Sequence, residues 1–261
     1  LPIPADGAAG GSSAAARTVE STRRPFGFEV TNVTFTYPGT ESPAVRDASF
    51  SVPAGMVTAI VGESGSGKST VAAMLCGLYQ PQYGSIRLLE CDGDDADLQP
   101  SAFTSRIAMV SQEPFLFAGT ILENITFGRD GITEEQAQRA ADAARIHDFI
   151  SALPDGYNSR LEEAGKNLSR GQRQRIAIAR ALVGNPRVII MDEATASLDV
   201  VSERAIKAVI DDLRGSVTFV IIAHQGALLS NVDHCVVLSC GRVQLKGSPA
   251  TLRLETAGVL C

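Results

Sequence analysis

Gly62-Glu63-Ser64-Gly65-Ser66-Gly67-Lys68-Ser69 is the stretch whose reading decides the fold. It fits the spacing GxxxxGK[ST] and stands between a short apolar run, Val57 to Val61, and a segment that reads as an apolar helix, Ser69 to Leu78. The order strand, glycine loop, helix is the one that this pattern needs. Glycines let successive backbone N–H groups turn inward as a nest for an anion. Lys68 can then reach the β and γ phosphates of a nucleotide, and the Ser69 hydroxyl can ligate Mg²⁺. With average residue usage, a Gly/Ser-rich turn in a chain of this length would match by accident on the order of 1 time in 100. Fewer such matches would fall between a strand and a helix.

Outward from this loop, further short apolar runs occur at Ile107 to Val110, Val188 to Met191 and Phe219 to Ile222. Runs apolar on both faces are what parallel strands buried under helices look like, although buried helix gives the same period-free signal. Helical segments lie between them, at Glu134 to Ala144, Ser169 to Leu182 and Val201 to Leu213. Alternating strand and helix predicts an α/β core of the P-loop type with a parallel sheet. Ahead of the loop, the run through Phe28, Val30, Val33 and Phe35 and the run Asp47 to Val52 predict an antiparallel β subdomain. The piece from about 113 to 185 is mostly helical and too long for a simple crossover, so it is expected to be an inserted helical subdomain. Residues 1–26 read as a linker or a disordered N-terminal segment, and 27–261 as one ATP-binding domain.

Ligands in open parallel sheets sit beyond the carboxyl ends of the strands. Val188 to Met191 ends in Asp192-Glu193, which places Asp192 to hold Mg²⁺, directly or through water, and Glu193 to polarise an attacking water. A charged turn after a strand is the plain alternative. Ile107 to Val110 is followed by Gln112, and Phe219 to Ile222 by Ala223-His224. An amide or a neutral imidazole there can bond a γ-phosphate or place a water. Convergence of four strands on one edge is stronger evidence than any one of these residues. Farther along, Ser169 and Gln172 have the form of a capping box at a helix start whose first turn carries Arg170 and Arg173. Cations there oppose the helix dipole, so the end suits an external anion, with capping alone as the alternative.

Bulk properties narrow the function classes. A net charge of −6 gives no global attraction to nucleic acid or anionic lipid. The five cysteines, Cys76, Cys91, Cys235, Cys240 and Cys261, have no paired CxxC spacing and read as free thiols in a reducing compartment. No stretch approaches the roughly 18 to 20 apolar residues of a membrane-crossing helix.

On these motifs the sequence from about Phe28 onward resembles the nucleotide-binding domain of ATP-binding cassette transporters, of the exporter kind. The resemblance implies that Tyr37 stacks on adenine, that Gly62, Glu63, Ser64, Gly65, Ser66, Gly67, Lys68, Ser69 and Thr70 hold the phosphates, and that Gln112 is the Q-loop residue. It makes Leu168 to Gln172 the signature, with Ser169, Gly171 and Gln172 facing a nucleotide. Asp192 and Glu193 are then the Walker B aspartate and catalytic glutamate, Ser197-Leu198-Asp199 the D-loop and His224 the switch histidine. Ser69, Gln112 and Asp192 are the implied Mg²⁺ ligands. Pro114 to Ile125 is similar to the phrase found in exporters whose ATP-binding domain follows a membrane domain on one polypeptide. This sequence departs from the family at Arg170, where glycine is usual, at Glu162 ahead of Glu163, and at Gln225 after His224. Two such domains, alike or different, are implied to sandwich two ATP molecules head to tail at the cytosolic face of a membrane. A separate importer subunit and a non-transport ATPase remain the alternatives; the latter would carry a long coiled coil or a second cassette, and this chain has neither.

Overall fold

The computed structural model describes residues 24–90, 104–194, 198–223 and 232–252. Among these, strands β1 (Phe26–Phe35), β2 (Val45–Val52) and β4 (Tyr83–Glu90) form an antiparallel sheet in the order β2-β1-β4. The larger sheet adds β3 (Val57–Val61), β5 (Ile107–Val110), β8 (Val188–Asp192), β9 (Thr218–Ala223), β10 (His234–Ser239) and β11 (Arg242–Gly247), in the order β11-β10-β3-β9-β8-β5. All its neighbours run parallel except β10 with β11, and β6 (Gly119–Thr120) pairs with β7 (Arg160–Leu161) in a separate two-stranded antiparallel sheet. The parallel strands and the antiparallel β subdomain agree with the expected class.

Alternation along the central strands sorts side chains to two cores. Val57, Ala59, Val61, Ile189, Met191 and Ile221 face one. Ile60, Val188, Ile190, Val220 and Ile222 face the other, against helix α1 (Lys68–Leu75) and Phe26, Phe28 and Phe50 of the antiparallel sheet. β5 departs from the buried pattern read in its sequence: it is the sheet edge, and Met109 is 41% exposed.

The first core continues into a helical insertion made of α2 (Ile121–Thr126), α3 (Glu134–Ala143), α4 (His147–Ser151) and α5 (Arg170–Val183). Three of these helices begin in reciprocal capping boxes, Thr120 with Glu123, Thr133 with Gln136 and Ser169 with Gln172. Each box satisfies two backbone donors that a helix start leaves without partners. After β8, α6 (Val200–Leu213) leads to β9, and α7 (Pro249–Leu252) follows β11. No helix among the described residues is long and apolar enough to cross a membrane.

α1 is shorter than its sequence suggests. It stops at Leu75 because Gly77 takes a left-handed φ of 74°, with Gly77 N–H donating to Met74 O and Leu78 N–H to Ala73 O. That is a Schellman ending, which turns the chain away before Leu78.

Candidate functional site

The parallel register sets the strand ends level: Val61 pairs with Ala223 and Val237, Asp192 with Ile222, and Val110 with Met191. Gly62, Asp192-Glu193 and Ser111-Gln112 therefore leave the sheet at one edge. β9 ends at Ala223 on that edge; His224, and Ser197 of the D-loop, lie outside the described residues.

Gly62 is enclosed. A Cβ there would come within 2.2 Å of Leu238 O. Gly67 has φ 101°, and its Cβ would meet Ala44 O at 2.6 Å, so neither position admits another residue without moving backbone. Gly65, at φ 76°, has open space around it, where a ligand can approach the backbone. Ser66 N–H donates to Glu63 O at 3.1 Å, closing the turn. α1 begins behind Gly67 with no side-chain cap, leaving its first N–H groups for a ligand. The Ser66 side chain is buried, and its Oγ has no partner among the described residues. Glu63, Ser64 and Ser69 are exposed, whereas Thr70 is buried.

Lys68 is buried at the centre, with its ammonium donating to Gly62 O at 2.8 Å and Glu63 O at 2.7 Å. Burial lowers its pKa, and the charges of Glu193 and Asp192 act in the opposite direction. Both carboxylates thus bear on the ammonium that the glycine loop holds. Glu193 takes φ 49°, and its N–H donates to Ile222 O at 2.9 Å, so the glutamate turns off the strand in a left-handed conformation uncommon for its type. Backbone held this way costs about 1 to 3 kcal/mol and persists only where the surroundings enforce it.

Tyr37 is half-buried beside this loop, with its hydroxyl 3.1 Å from Thr70 Oγ1. Its ring is nearly perpendicular to Phe35 and to Tyr79, at centroid distances of 5.0 and 5.4 Å. Gln82, which the sequence reading missed, pairs its amide with the backbone of Thr36 in both directions, at 2.7 Å each, and so fixes the residue before Tyr37. Nothing in a single sequence distinguishes that glutamine from a surface one.

The signature residues stand elsewhere, at the start of α5. Ser169 Oγ accepts from Gln172 N–H at 3.2 Å, and Gln172 Oε1 accepts from Ser169 N–H at 2.7 Å. Arg170 is the first helical residue and is half-exposed. Arg173 donates to Leu168 O at 2.7 Å, spending its charge on the turn before the helix. Gly171 has a packing reason besides the open backbone that the motif suggests: a Cβ would lie 1.9 Å from Ser202 Oγ. Ser202 in turn donates to Asp199 Oδ2 at 2.8 Å, and Asp199 Oδ1 accepts from Ser202 N–H at 2.9 Å, which caps α6. Those bonds hold the Asp199 carboxyl below its usual pKa. The start of α5 and the start of α6 are thereby packed together through Gly171, Ser202 and Asp199.

The Pro114 to Ile125 phrase is tied down by two residues that the sequence reading did not single out in this role. Asn124, fully buried, donates to Phe117 O and Thr120 O and accepts from Phe117 N–H. Arg180 of α5 donates to Asn124 O at 2.7 Å, Asn124 Oδ1 at 3.0 Å and Phe115 O at 2.7 Å, with its guanidinium 4.6 Å from the Phe127 ring centroid. Beside this knot, Phe115 and Phe127 are 67% and 51% exposed.

Comparison with known proteins follows the same lines. The family model described as ABC transporter matches residues 45–196. ATP-binding cassette sub-family B member 10, mitochondrial, of Mus musculus is 42% identical over 236 residues, covering 88% of this chain and 33% of that protein. ATP-dependent lipid A-core flippase of Aliivibrio fischeri is 41% identical over 237 residues, covering 90% of this chain and 40% of that protein. Among solved structures, a bacterial Atm1-family ABC exporter with ATP bound superposes with a TM-score of 0.79 at 38% identity, over 90% of this chain and 40% of that one. The chain therefore spans about a third to two fifths of the length of these proteins. Glycine loop, paired acids and signature helix, in this order and on this fold, agree with the match: the chain belongs to the ABC transporter family, as an ATP-binding domain of the exporter kind.

Proposed function

We propose that this chain hydrolyses ATP as the nucleotide-binding domain of an ABC exporter, working head to tail with a second such domain at the cytosolic face of a membrane. Residues 27–261 form the domain, joined by Phe26, which already belongs to β1, with the residues before it as a linker and about 113–185 as the helical subdomain. The membrane domain lies on the same longer polypeptide, a reading supported by the exporter phrase and by relatives of which this chain matches only a part.

The observation that carries the reading is Lys68, buried on the glycine loop within the field of Asp192 and Glu193. Tyr37 stacks on the base. Backbone N–H groups from Gly62 to Thr70 receive the phosphates, with Lys68 leaving its loop carbonyls for the β and γ oxygens. Ser69, Gln112 and Asp192 are hard oxygen donors of the kind that Mg²⁺ takes, and they would hold it. Bound there, Mg²⁺ supplies positive charge to the β and γ phosphate oxygens. Glu193 accepts a proton from water as the water oxygen bonds the γ-phosphorus; the bond from that phosphorus to the bridging oxygen breaks, giving ADP and phosphate. Gln112 and His224 place the water and the γ-phosphate. Ser169, Gly171 and Gln172 present the α5 start to the nucleotide held by the partner domain.

Glu193→Gln tests this assignment. The variant is expected to bind ATP as tightly as wild type, to lose at least about 99% of turnover, since a positioned base contributes roughly 100-fold or more, and to dimerise on adding MgATP. Lys68→Ala, in contrast, should lose binding. Turnover at the wild-type rate in Glu193→Gln would remove Glu193 from the base role.

A further inference from the structure

Gln174 lies in the second turn of α5 and is completely buried. Its Nε2 donates to Ser111 O at 3.1 Å. Ser111 is the first residue beyond β5, and Gln112 is the next. The Gln112 side chain is exposed and has no hydrogen-bond partner among the described residues, so its place is set by its backbone. Ser111 Oγ, for its part, donates to Glu113 O at 3.2 Å, a bond internal to the loop. The Gln174 amide thus links the signature helix to the backbone that carries Gln112.

Stability does not account for an amide at this position. Gln174 Oε1 is buried and has no partner among the described residues. The penalty for a buried acceptor without a donor exceeds the net gain from one neutral hydrogen bond. Around it on α5, Ile176, Ala177 and Ile178 are buried apolar residues, and a methionine would fill much the same volume without a polar atom to satisfy. What glutamine does that methionine does not is hold the Ser111 carbonyl.

We infer that Gln174 is a positioning residue for Gln112, pinning the loop after β5 to the helix that bears the signature. The inference rests on the reading of Gln112 as a residue of the ATP site. It makes the distance between the two halves of the domain, glycine-loop core and signature helix, register directly at the residue placed to act on water or Mg²⁺.

The test uses the chain as it stands, with Gln174→Met, Gln112→Ala and the double variant. Gln174→Met is expected to melt at or above the wild-type temperature, to keep KM for ATP within about twofold and to lower kcat about tenfold, the scale of a misplaced reacting group. Hydrogen exchange at residues 111–113 should quicken while exchange along α5 stays unchanged. The double variant should be no slower than Gln112→Ala alone, because both changes act through one side chain. Additive losses, an unchanged kcat or unchanged exchange in the loop would each overturn the inference. Should Gln174→Met fail to fold, Gln174→Glu carries the same measurements, with turnover recovering toward acidic pH as a protonated carboxyl regains a donor for Ser111 O. Wild-type turnover in Gln112→Ala would overturn the reading of Gln112 itself, an outcome distinct from a slow Gln112→Ala beside an undisturbed Gln174→Met.

Discussion

Tyr37 illustrates how far a single residue can be read. Its place ahead of the glycine loop was legible only through resemblance; the structure supplies the Thr70 contact and two perpendicular rings, neither lying parallel to its face. Stacking is worth about 1 to 3 kcal/mol per base by alanine substitution, so Tyr37→Ala should raise KM for ATP roughly 5- to 150-fold. Its kcat should stay near wild type, since stacking is the same in ground and transition states. Steady-state kinetics decide it: an unchanged KM would take Tyr37 out of the base site. Glu193 and Gly171 mark the limit of such reading. An acid after a strand was visible, but its left-handed backbone depends on Ile222 O, supplied by a neighbouring strand. Gly171 looked like open backbone for a phosphate, and the contact with Ser202, 31 residues on, could not be seen without the fold.

At the scale of elements, the strands buried on both faces and the long helices were legible from hydrophobic runs, and the edges were not. β4 was missed because, of its apolar side chains, only Leu88 is deeply buried, so little alternation shows. The β10–β11 hairpin was missed although Cys235 to Leu238 is fully apolar. Its two-residue turn is Cys240-Gly241, at φ 48° and 76°, the left-handed pair of a type I′ turn. Asparagine or aspartate usually signals such a turn, and cysteine does not. α2 is only six residues long and is held by its capping box and by Arg180. Burial lowers the pKa of Arg180 to about 10, and three acceptors depend on it. Arg180→Met should cost about 2 to 3 kcal/mol, the range of bonds to a charged group. Chemical denaturation measures this. Arg180→Lys should recover only part of it, because one ammonium cannot span Asn124 and Phe115. A variant as stable as wild type would show that the phrase holds itself.

For the molecule as a whole, the thiols read as free from their spacing are free at Cys76, Cys235 and Cys240, while Cys91 and Cys261 lie outside the described residues. Burial pushes Cys76 and Cys235 up to about 11 from an ordinary 9, with Asp192 adding to the shift at Cys76. A thiol that keeps its proton in the folded state and loses it more readily in the unfolded one favours unfolding as pH rises. Its contribution is therefore complete below pH 9 and lost progressively toward pH 11. Urea midpoints taken from pH 8 to 11 should fall, and more gently in Cys235→Ala; equal slopes would assign the alkaline loss elsewhere. The turn at Cys240-Gly241 carries a different consequence. Gly241 N–H donates to Ser66 O, Arg46 N–H donates to Gly241 O, and β3 lies between β9 and β10. The phosphate loop, encoded at residues 62–69, is thus braced from behind by residues 234–247. On a ribosome, where synthesis is vectorial, the loop is made first and waits for some 170 further residues before its last support leaves the exit tunnel. Nucleotide binding then reports completion of the domain, and a chain stalled short of the hairpin cannot yet hold ATP as the finished domain does.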